Sequence, residues 1–194
     1  INGGSVRTSG AQTFGEAASL GANTILSSTG AGNIGFADTL NGAYTLDVNT
    51  TGDTVFNGSV GANTALTSLT TNAGGTVAIN GGSIRTSGAQ SYGEAASLGA
   101  NTALSSTGGG NIRFADTLNG LFTLAVNTTG DTVFGGAVGN TAALVSLSTN
   151  VGGTVEINGG SVRTSGAQTF GEAASLGANT ILTSTAAGNI GFAD

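Results

Sequence analysis

The sequence predicts an all-β fold, a parallel β-solenoid in which short strands coil around a thin apolar core. Three observations predict this fold class. The chain repeats itself at a fixed period, its apolar residues recur at a finer spacing, and Gly or Asn follows many of them at tight corners. Helical periodicity is absent, since the one helix-like segment, residues 16–19, is too short to stand alone.

A long repeat organises the whole sequence. Residues 1–78 align without gaps with residues 79–156 and differ from them at 18 of 78 positions. Residues 157–194 begin a third unit and differ from residues 1–38 at two positions. Separate globular beads would need linkers, and the seam between residues 78 and 79 has none. We therefore predict one continuous rod of solenoid repeat 1 (1–78), repeat 2 (79–156) and partial repeat 3 (157–194).

The finer spacing comes from three rows of apolar residues, each with members about 20 residues apart. The first row is Leu20, Leu40, Val60, Ile79 and Leu98. The second row is Leu26, Leu46, Leu66, Ile84 and Leu104. The third row is Phe14, Phe36, Phe56 and Val77 in the first unit and Tyr92, Phe114, Phe134 and Val155 in the second. These rows predict coils of about 19–20 residues, four coils per 78-residue repeat, and a rod of roughly ten coils and roughly 50 Å.

Composition and charge exclude several classes of partner. Charged residues make up 7% of the 194 residues, and Pro, Cys, Met, Trp and His are absent. A hydrophobic share of 38% still permits a core, which argues against disorder. With ten acidic residues against four arginines there is no basic run to bind phosphates, so we expect no nucleic acid partner. No apolar run approaches the length of a membrane-spanning helix, and we expect no membrane insertion.

Residues 30–35 match the dinucleotide-binding pattern G-x-G-x-x-G. That pattern binds phosphate when a strand precedes it and a helix follows it, whereas here a strand follows. The equivalent residues of the other units also break it, with Arg113 at the last glycine position and Ala186 at the first. We therefore interpret this segment as a turn and predict no cofactor.

Two sets of aspartates recur once per unit and raise the question of a calcium array. They are Asp38, Asp116 and Asp194, and separately Asp53 and Asp131. Calcium prefers several oxygens from clustered carboxylates, and the nonapeptide pattern of calcium-binding β-rolls is missing. We therefore expect turn caps and solvated positions, and no metal site.

An arginine and a glutamate also recur nine residues apart in every unit. The pairs are Arg7 and Glu16, Arg85 and Glu94, and Arg163 and Glu172. They are consistent with a binding feature repeated along the rod or with a surface ion pair that contributes little stability, and we favour the ion pair. Without His or Cys, and with sparse carboxylates, no residue is predicted to be catalytic, and the chain is not expected to be an enzyme.

Hydroxyl-rich composition suggests a second kind of function. Outward rows of threonine could bind ice or carbohydrate, but Thr24, Thr45 and Thr67 are not joined by a consistent second threonine. Three segments fit the N-glycosylation pattern, at Asn49, Asn57 and Asn127, and such matches arise easily by chance in a chain rich in Asn and Thr.

The ordered phrases GGSVRTSGAQT, LGANT, GNIGF and VNTTG, which span the whole chain, resemble the repeat regions of very large bacterial surface proteins of the filamentous haemagglutinin type. This resemblance implies a right-handed β-helix rod, exported by a two-partner or autotransporter route. It also implies an extracellular, cell-surface location and a role in adhesion, aggregation or a matrix fibre.

The chain begins and ends inside a repeat, and we expect the targeting signals to lie elsewhere in a longer protein. The expected function is structural and adhesive, giving a fibre reach and stiffness, with a carbohydrate- or ice-binding module as the alternative. The expected partners are other copies, end to end or side by side, and surface glycans are further candidates.

Overall fold

The computed structural model describes residues 1–193, and in that range the chain forms 25 short parallel strands and no helix. The strands stack as a β-solenoid of about nine turns, so the predicted fold class is confirmed. Each strand pairs with the strand one turn away, and residues along a strand alternate between inside and outside, as in the burial of β4 (Thr24–Ser28).

Three parallel sheets form the three sides of the solenoid. Sheet A contains β1 (Ser5–Thr8), β4 (Thr24–Ser28), β7 (Thr45–Asn49), β9 (Ser68–Thr71), β12 (Gln90–Tyr92), β15 (Ile112–Phe114), β18 (Thr132–Phe134), β20 (Thr154–Ile157) and β23 (Ala173–Leu176). Sheet B contains β2 (Gln12–Phe14), β5 (Ile34–Phe36), β8 (Thr54–Phe56), β10 (Thr76–Ile79), β13 (Ala95–Leu98), β16 (Leu118–Asn119), the bridging residue Val138, β21 (Ser161–Thr164) and β24 (Ile181–Ser184). Sheet C contains β3 (Ala18–Ser19), β6 (Leu40–Asn41), the bridging residue Val60, β11 (Ser83–Thr86), β14 (Thr102–Ser106), β17 (Thr123–Asn127), β19 (Ser146–Thr149), β22 (Gln168–Phe170) and β25 (Ile190–Phe192).

The core is a set of inward ladders, one residue deep on each side. Leu26, Leu46 and Phe56 are buried, as are their second-unit counterparts Leu104, Leu124 and Phe134. The aromatic row that the sequence predicts is confirmed, because Phe14, Phe36 and Phe56 stack with ring centroids 4.9 and 5.5 Å apart. Position by position, the row continues to Ile79 and not to Val77, since Ile79 is the partner of Phe56 and Val77 pairs with Thr54.

The predicted coil length is wrong, and one ladder shows why. Val60 and Ile79 were predicted to be neighbours, but they lie in different sheets, and Val60 pairs with Ile84, further along the chain. Elsewhere the spacing between paired residues is shorter, as between Thr76 and Ala95. The long spacing arises because residues 61–65 bulge out of sheet C between Val60 and Leu66, which both pair with β11. Gly61 starts this bulge with φ +72°, and a Cβ there would collide with the Arg85 carbonyl.

Because some coils are longer than predicted, each 78-residue unit contains fewer than four coils. The first unit contains ten strands, β1 to β10, and the bridging residue Val60, so it has eleven segments. Because one turn uses three segments, one on each sheet, the unit makes 3⅔ turns in place of the predicted four. The same sequence motif therefore moves to a new side in each unit. Its strands β1, β11 and β21 lie in sheets A, C and B respectively. Successive units are related by a screw with a step of one third of a turn.

Aromatic stacks show this screw directly. Phe14, Phe36 and Phe56 stack in sheet B, and their counterparts Tyr92, Phe114 and Phe134 stack in sheet A, at 4.9 and 6.0 Å. In the third unit, Phe170 and Phe192 stack in sheet C, at 4.9 Å. About nine turns spaced about 4.8 Å apart give a rod of about 40 Å, shorter than the sequence predicts.

Candidate functional site

A buried carboxyl group lies at one corner of the solenoid in the second and third units. Glu94 connects β12 to β13 and has 3% of its surface exposed, and Glu172 connects β22 to β23 with 4% exposed. Glu16 occupies the same place in the first unit but is exposed. The difference follows from stacking, because the structure has no turn beneath Glu16. That corner instead borders an open groove lined by Ile1, Phe14 and residues 15–19.

Threonine hydroxyls from the two preceding turns surround the Glu94 carboxyl. Thr71 Oγ1, at the end of β9, donates a hydrogen bond of 2.6 Å to Glu94 Oε2. The hydroxyl of Thr54, in β8, also lies against this carboxyl and makes no hydrogen bond of its own. Both threonines are buried. The Glu94 carboxyl thus lies buried against two threonine hydroxyls.

The third unit rebuilds this corner from equivalent residues. Thr132 and Thr149 approach Glu172 from the same sequence separations at which Thr54 and Thr71 approach Glu94. Here both carboxyl oxygens of Glu172 and the hydroxyl oxygen of Thr132 are buried without a hydrogen-bond partner. Buried polar atoms are nearly always paired in folded proteins, so three unpaired oxygens at one corner call for a chemical explanation.

Burial dominates the electrostatics of both glutamates. It raises the pKa of Glu94 above its ordinary value, and the hydrogen bonds from Thr71 and nearby groups lower it less. Burial likewise raises the pKa of Glu172, the hydroxyls of Thr132 and Thr149 lower it less, and Asp131 makes a smaller contribution that raises it. Burial also raises the pKa of Tyr92, and the charge of Glu94 adds to that effect. The Tyr92 hydroxyl donates a 2.9 Å hydrogen bond to Gln90 Oε1.

A buried glutamine precedes this corner in every unit. Gln90 Nε2 donates to the Ile84 carbonyl, the Thr86 hydroxyl and the Ser105 carbonyl at 3.3, 3.2 and 3.0 Å. Ser105 lies one turn further along the rod, so this side chain ties two turns together. Gln12 and Gln168 make the same three contacts in their units. The glutamine fixes the corner from which Glu94 points inward.

The predicted surface ion pair is wrong in the second and third units. Arg85 is exposed on the outer side of β11, whereas Glu94 is buried inside the corner, and Arg163 and Glu172 differ in the same way. The cause is the alternation of the chain through the corner, where Tyr92, Glu94 and Ala96 all point inward. Charge pairing therefore does not account for this glutamate.

Aspartates act largely as predicted, at turns. Asp38 and Asp116 each accept a 2.6 Å hydrogen bond from the next backbone N–H, as caps do. Asp53 accepts from Thr76 Oγ1 at 2.8 Å and from Asn33 Nδ2 at 3.5 Å, and so links three turns. Asp131 repeats these contacts in the second unit, and Asp194 lies outside the described residues. Within residues 1–193 no three His, Cys, Asp or Glu side chains cluster as a metal site would require.

The other sequence motifs are found in turns and on the surface. Residues 30–33 form a turn that leads directly into β5, as predicted, and Ala31 adopts φ +61° there. Asn49, Asn57 and Asn127 are exposed. Many threonines lie inside the solenoid, including Thr24, Thr54, Thr71, Thr86, Thr102, Thr128, Thr132, Thr149 and Thr164. Inward threonines are unavailable for a flat binding face.

Comparison with protein-family models, with curated proteins and with solved structures found no match. The fold defines the chain as a parallel β-solenoid built from 78-residue repeats. In the described part of the chain, no helix has the length and apolar character needed to cross a membrane.

Proposed function

We propose that this chain is a structural and adhesive segment of an extracellular bacterial surface or matrix fibre, and that its task is to give the fibre reach and stiffness. The observation that carries the proposal is the position of the seams. The first seam, at Ala78–Ile79, lies inside β10, and the second, at Glu156–Ile157, lies inside β20. Because a strand of the ladder crosses each seam, added units lengthen one rod.

The screw between units supports a fibre more than a module with one binding face. A feature carried once per unit faces three directions in turn, as the motif of β1, β11 and β21 does. An ice- or carbohydrate-binding face needs its side chains repeated on one side. Residues 1–193 place many threonines inward instead, so the alternative function has less support.

The surface is consistent with a rod that touches its surroundings on every side. All four arginines are exposed and lie apart on the three sheets. Adhesion then rests on outward side chains or on a distant domain, with other copies and surface glycans as candidate partners. The resemblance of the repeat phrases to filamentous haemagglutinin-type proteins supports export to the cell surface. Catalysis is not part of the proposed function.

Electron microscopy of recombinant arrays tests the rod. Each added 78-residue unit supplies 3⅔ turns and should lengthen the particle by about 18 Å without widening it. Eight units should form straight rods of roughly 140 Å. Compact or beaded particles, or lengths that do not scale with the number of units, would contradict the structural role.

A second measurement addresses the site of action. Antibodies against exposed residues should label the surface of intact producing cells, and removal of whole units from the gene should bring the fibre tip closer to the cell. Labelling only after lysis would contradict the extracellular location. Ice-recrystallisation and glycan-binding assays on the same arrays test the alternative function, and a strong signal there would favour it.

A further inference from the structure

The buried corner glutamate has no positive partner. Every cationic side chain of the chain is an arginine, and Arg7, Arg85, Arg113 and Arg163 are all exposed. A buried carboxylate without a cation is strongly disfavoured in the low dielectric of a protein interior. Something other than an ion pair must therefore neutralise Glu94 and Glu172.

The surrounding atoms are suited to one proton per carboxyl. As an acid, Glu172 would have an O–H to donate, and the unpaired Thr132 hydroxyl oxygen beside it could accept. At the second unit, Thr71 already donates to Glu94 Oε2, which leaves Oε1 to carry a proton toward Thr54. The threonine hydroxyls can donate to either form of these carboxyls, and protonation adds a second donor while removing a buried charge that no cation offsets.

Neighbouring titratable groups favour the same outcome. Around Glu94 they are Tyr92 on its own segment, Asp53 next to Thr54, and Asp116 in the corner of the following turn. Around Glu172 the charged neighbour is Asp131, and Asp194 of the following corner lies outside the described residues. Asp131 disfavours ionisation of Glu172 beyond the effect of burial. At Glu94 burial is the cause that favours the neutral acid, and none of the groups named here supplies a positive charge.

We propose that this corner is a proton-binding site regenerated in each stacked unit, in which Glu94 and Glu172 are held as neutral carboxylic acids by threonines of the two preceding turns. The site makes the rod sensitive to pH. A neutral acid stabilises the folded state fully below the unfolded-state pKa, near 4.5, and this contribution is lost as pH rises through the higher folded-state pKa. The rod is then firmest in mildly acidic surroundings. This inference is independent of the proposed function.

A bound metal ion is the competing occupant. Calcium takes six to eight oxygen ligands, and this corner offers one carboxyl group and two hydroxyls. A proton neutralises the buried carboxyl without further ligands.

Carboxyl titration by NMR decides between the two. The chain has four glutamates, Glu16, Glu94, Glu156 and Glu172, so selective ¹³C labelling gives four carboxyl signals, assigned with single Glu→Gln variants. The Glu94 and Glu172 signals should titrate above the ordinary glutamate value, near 4.5. Midpoints of both signals within about half a unit of that value would overturn the proposal. So would a shift of the two buried signals at pH 7 on addition of Ca²⁺ or Na⁺ alone, which would indicate a cation site.

Denaturation at several pH values supplies an independent readout with a matched control. The unfolding midpoint of the natural sequence should fall between pH 5 and pH 8, and the double variant Glu94→Gln, Glu172→Gln should lose most of that dependence. Glu16→Gln changes the equivalent exposed residue and should behave like the natural sequence. An unchanged pH dependence in the double variant would refute the proposal. If that variant fails to fold, the titration of the natural sequence still decides the question.

Discussion

The aromatic stack of the second unit allows a stability prediction worked from contacts. Phe114 is fully buried, and its ring lies between Tyr92 at 4.9 Å and Phe134 at 6.0 Å. Replacement by alanine removes a core ring, which typically costs about 3–5 kcal/mol. Two ring–ring contacts at about 0.5–1.5 kcal/mol each account for about 1–3 kcal/mol of that loss. We expect Phe114→Ala to fall in the upper part of this range, because the stacked turns above and below limit collapse into the cavity.

Phe192→Ala is the matched control for this loss. Phe192 is 48% exposed and has one described ring partner, Phe170 at 4.9 Å, so its replacement should cost less than half as much. Solenoid turns contact mainly their neighbours, so native-state hydrogen exchange should show the loss locally. Protection should fall first in β12, β15 and β18 and remain high several turns away. Equal losses in the two variants, or loss of protection spread evenly over the rod, would refute this reasoning.

Three further predictions use the same assays. Leu46→Asp places an unpaired charge in the core and should cost several kcal/mol of stability, whereas the exposed Arg7→Ser should cost under about 1 kcal/mol. Comparable denaturation midpoints for the two variants would show that the buried and exposed sides are misassigned. Ala31→Gly should stabilise the rod by about 0.5–1 kcal/mol, because Ala31 has φ +61° where the second unit has Gly109, and a lower midpoint would contradict this. Separate copies should associate through unpaired strand ends, where Leu176 is 58% exposed, and sedimentation of a monodisperse monomer at high concentration would count against it.

Sequence reasoning reached the fold class but not the rotation between units. Short alternating strands and a 78-residue period are visible in the residue pattern, and the aromatic stack of Phe14, Phe36 and Phe56 followed from their recurrence at about one coil length. The rotation between units depends on how many residues each turn of the solenoid contains. That number varies because a bulge such as residues 61–65 adds residues without adding a strand. A row of apolar residues at constant spacing cannot reveal such an insertion, since another apolar residue, Ile79, stood at the expected distance.

The corner glutamate was misread for a different reason. The spacing between Arg85 and Glu94 carries no information about the side of a corner on which each residue lies. A usable signal was present in the alternation itself. Gln90, Tyr92, Glu94, Ala96 and Leu98 are all buried, so the period of two runs unbroken through the corner. A polar residue in phase with an apolar ladder would have indicated the buried carboxyl.

The fractional number of turns per unit has a consequence for how such a gene can change in length. Loss or gain of one unit preserves the ladder across the new junction, because every seam has the same strand environment. It also turns everything beyond the junction by one third of a revolution. Three units span eleven turns and about 53 Å before the orientation returns. Recombination between repeats therefore alters both the length of a fibre and the rotational orientation, about the fibre axis, of any domain at its tip.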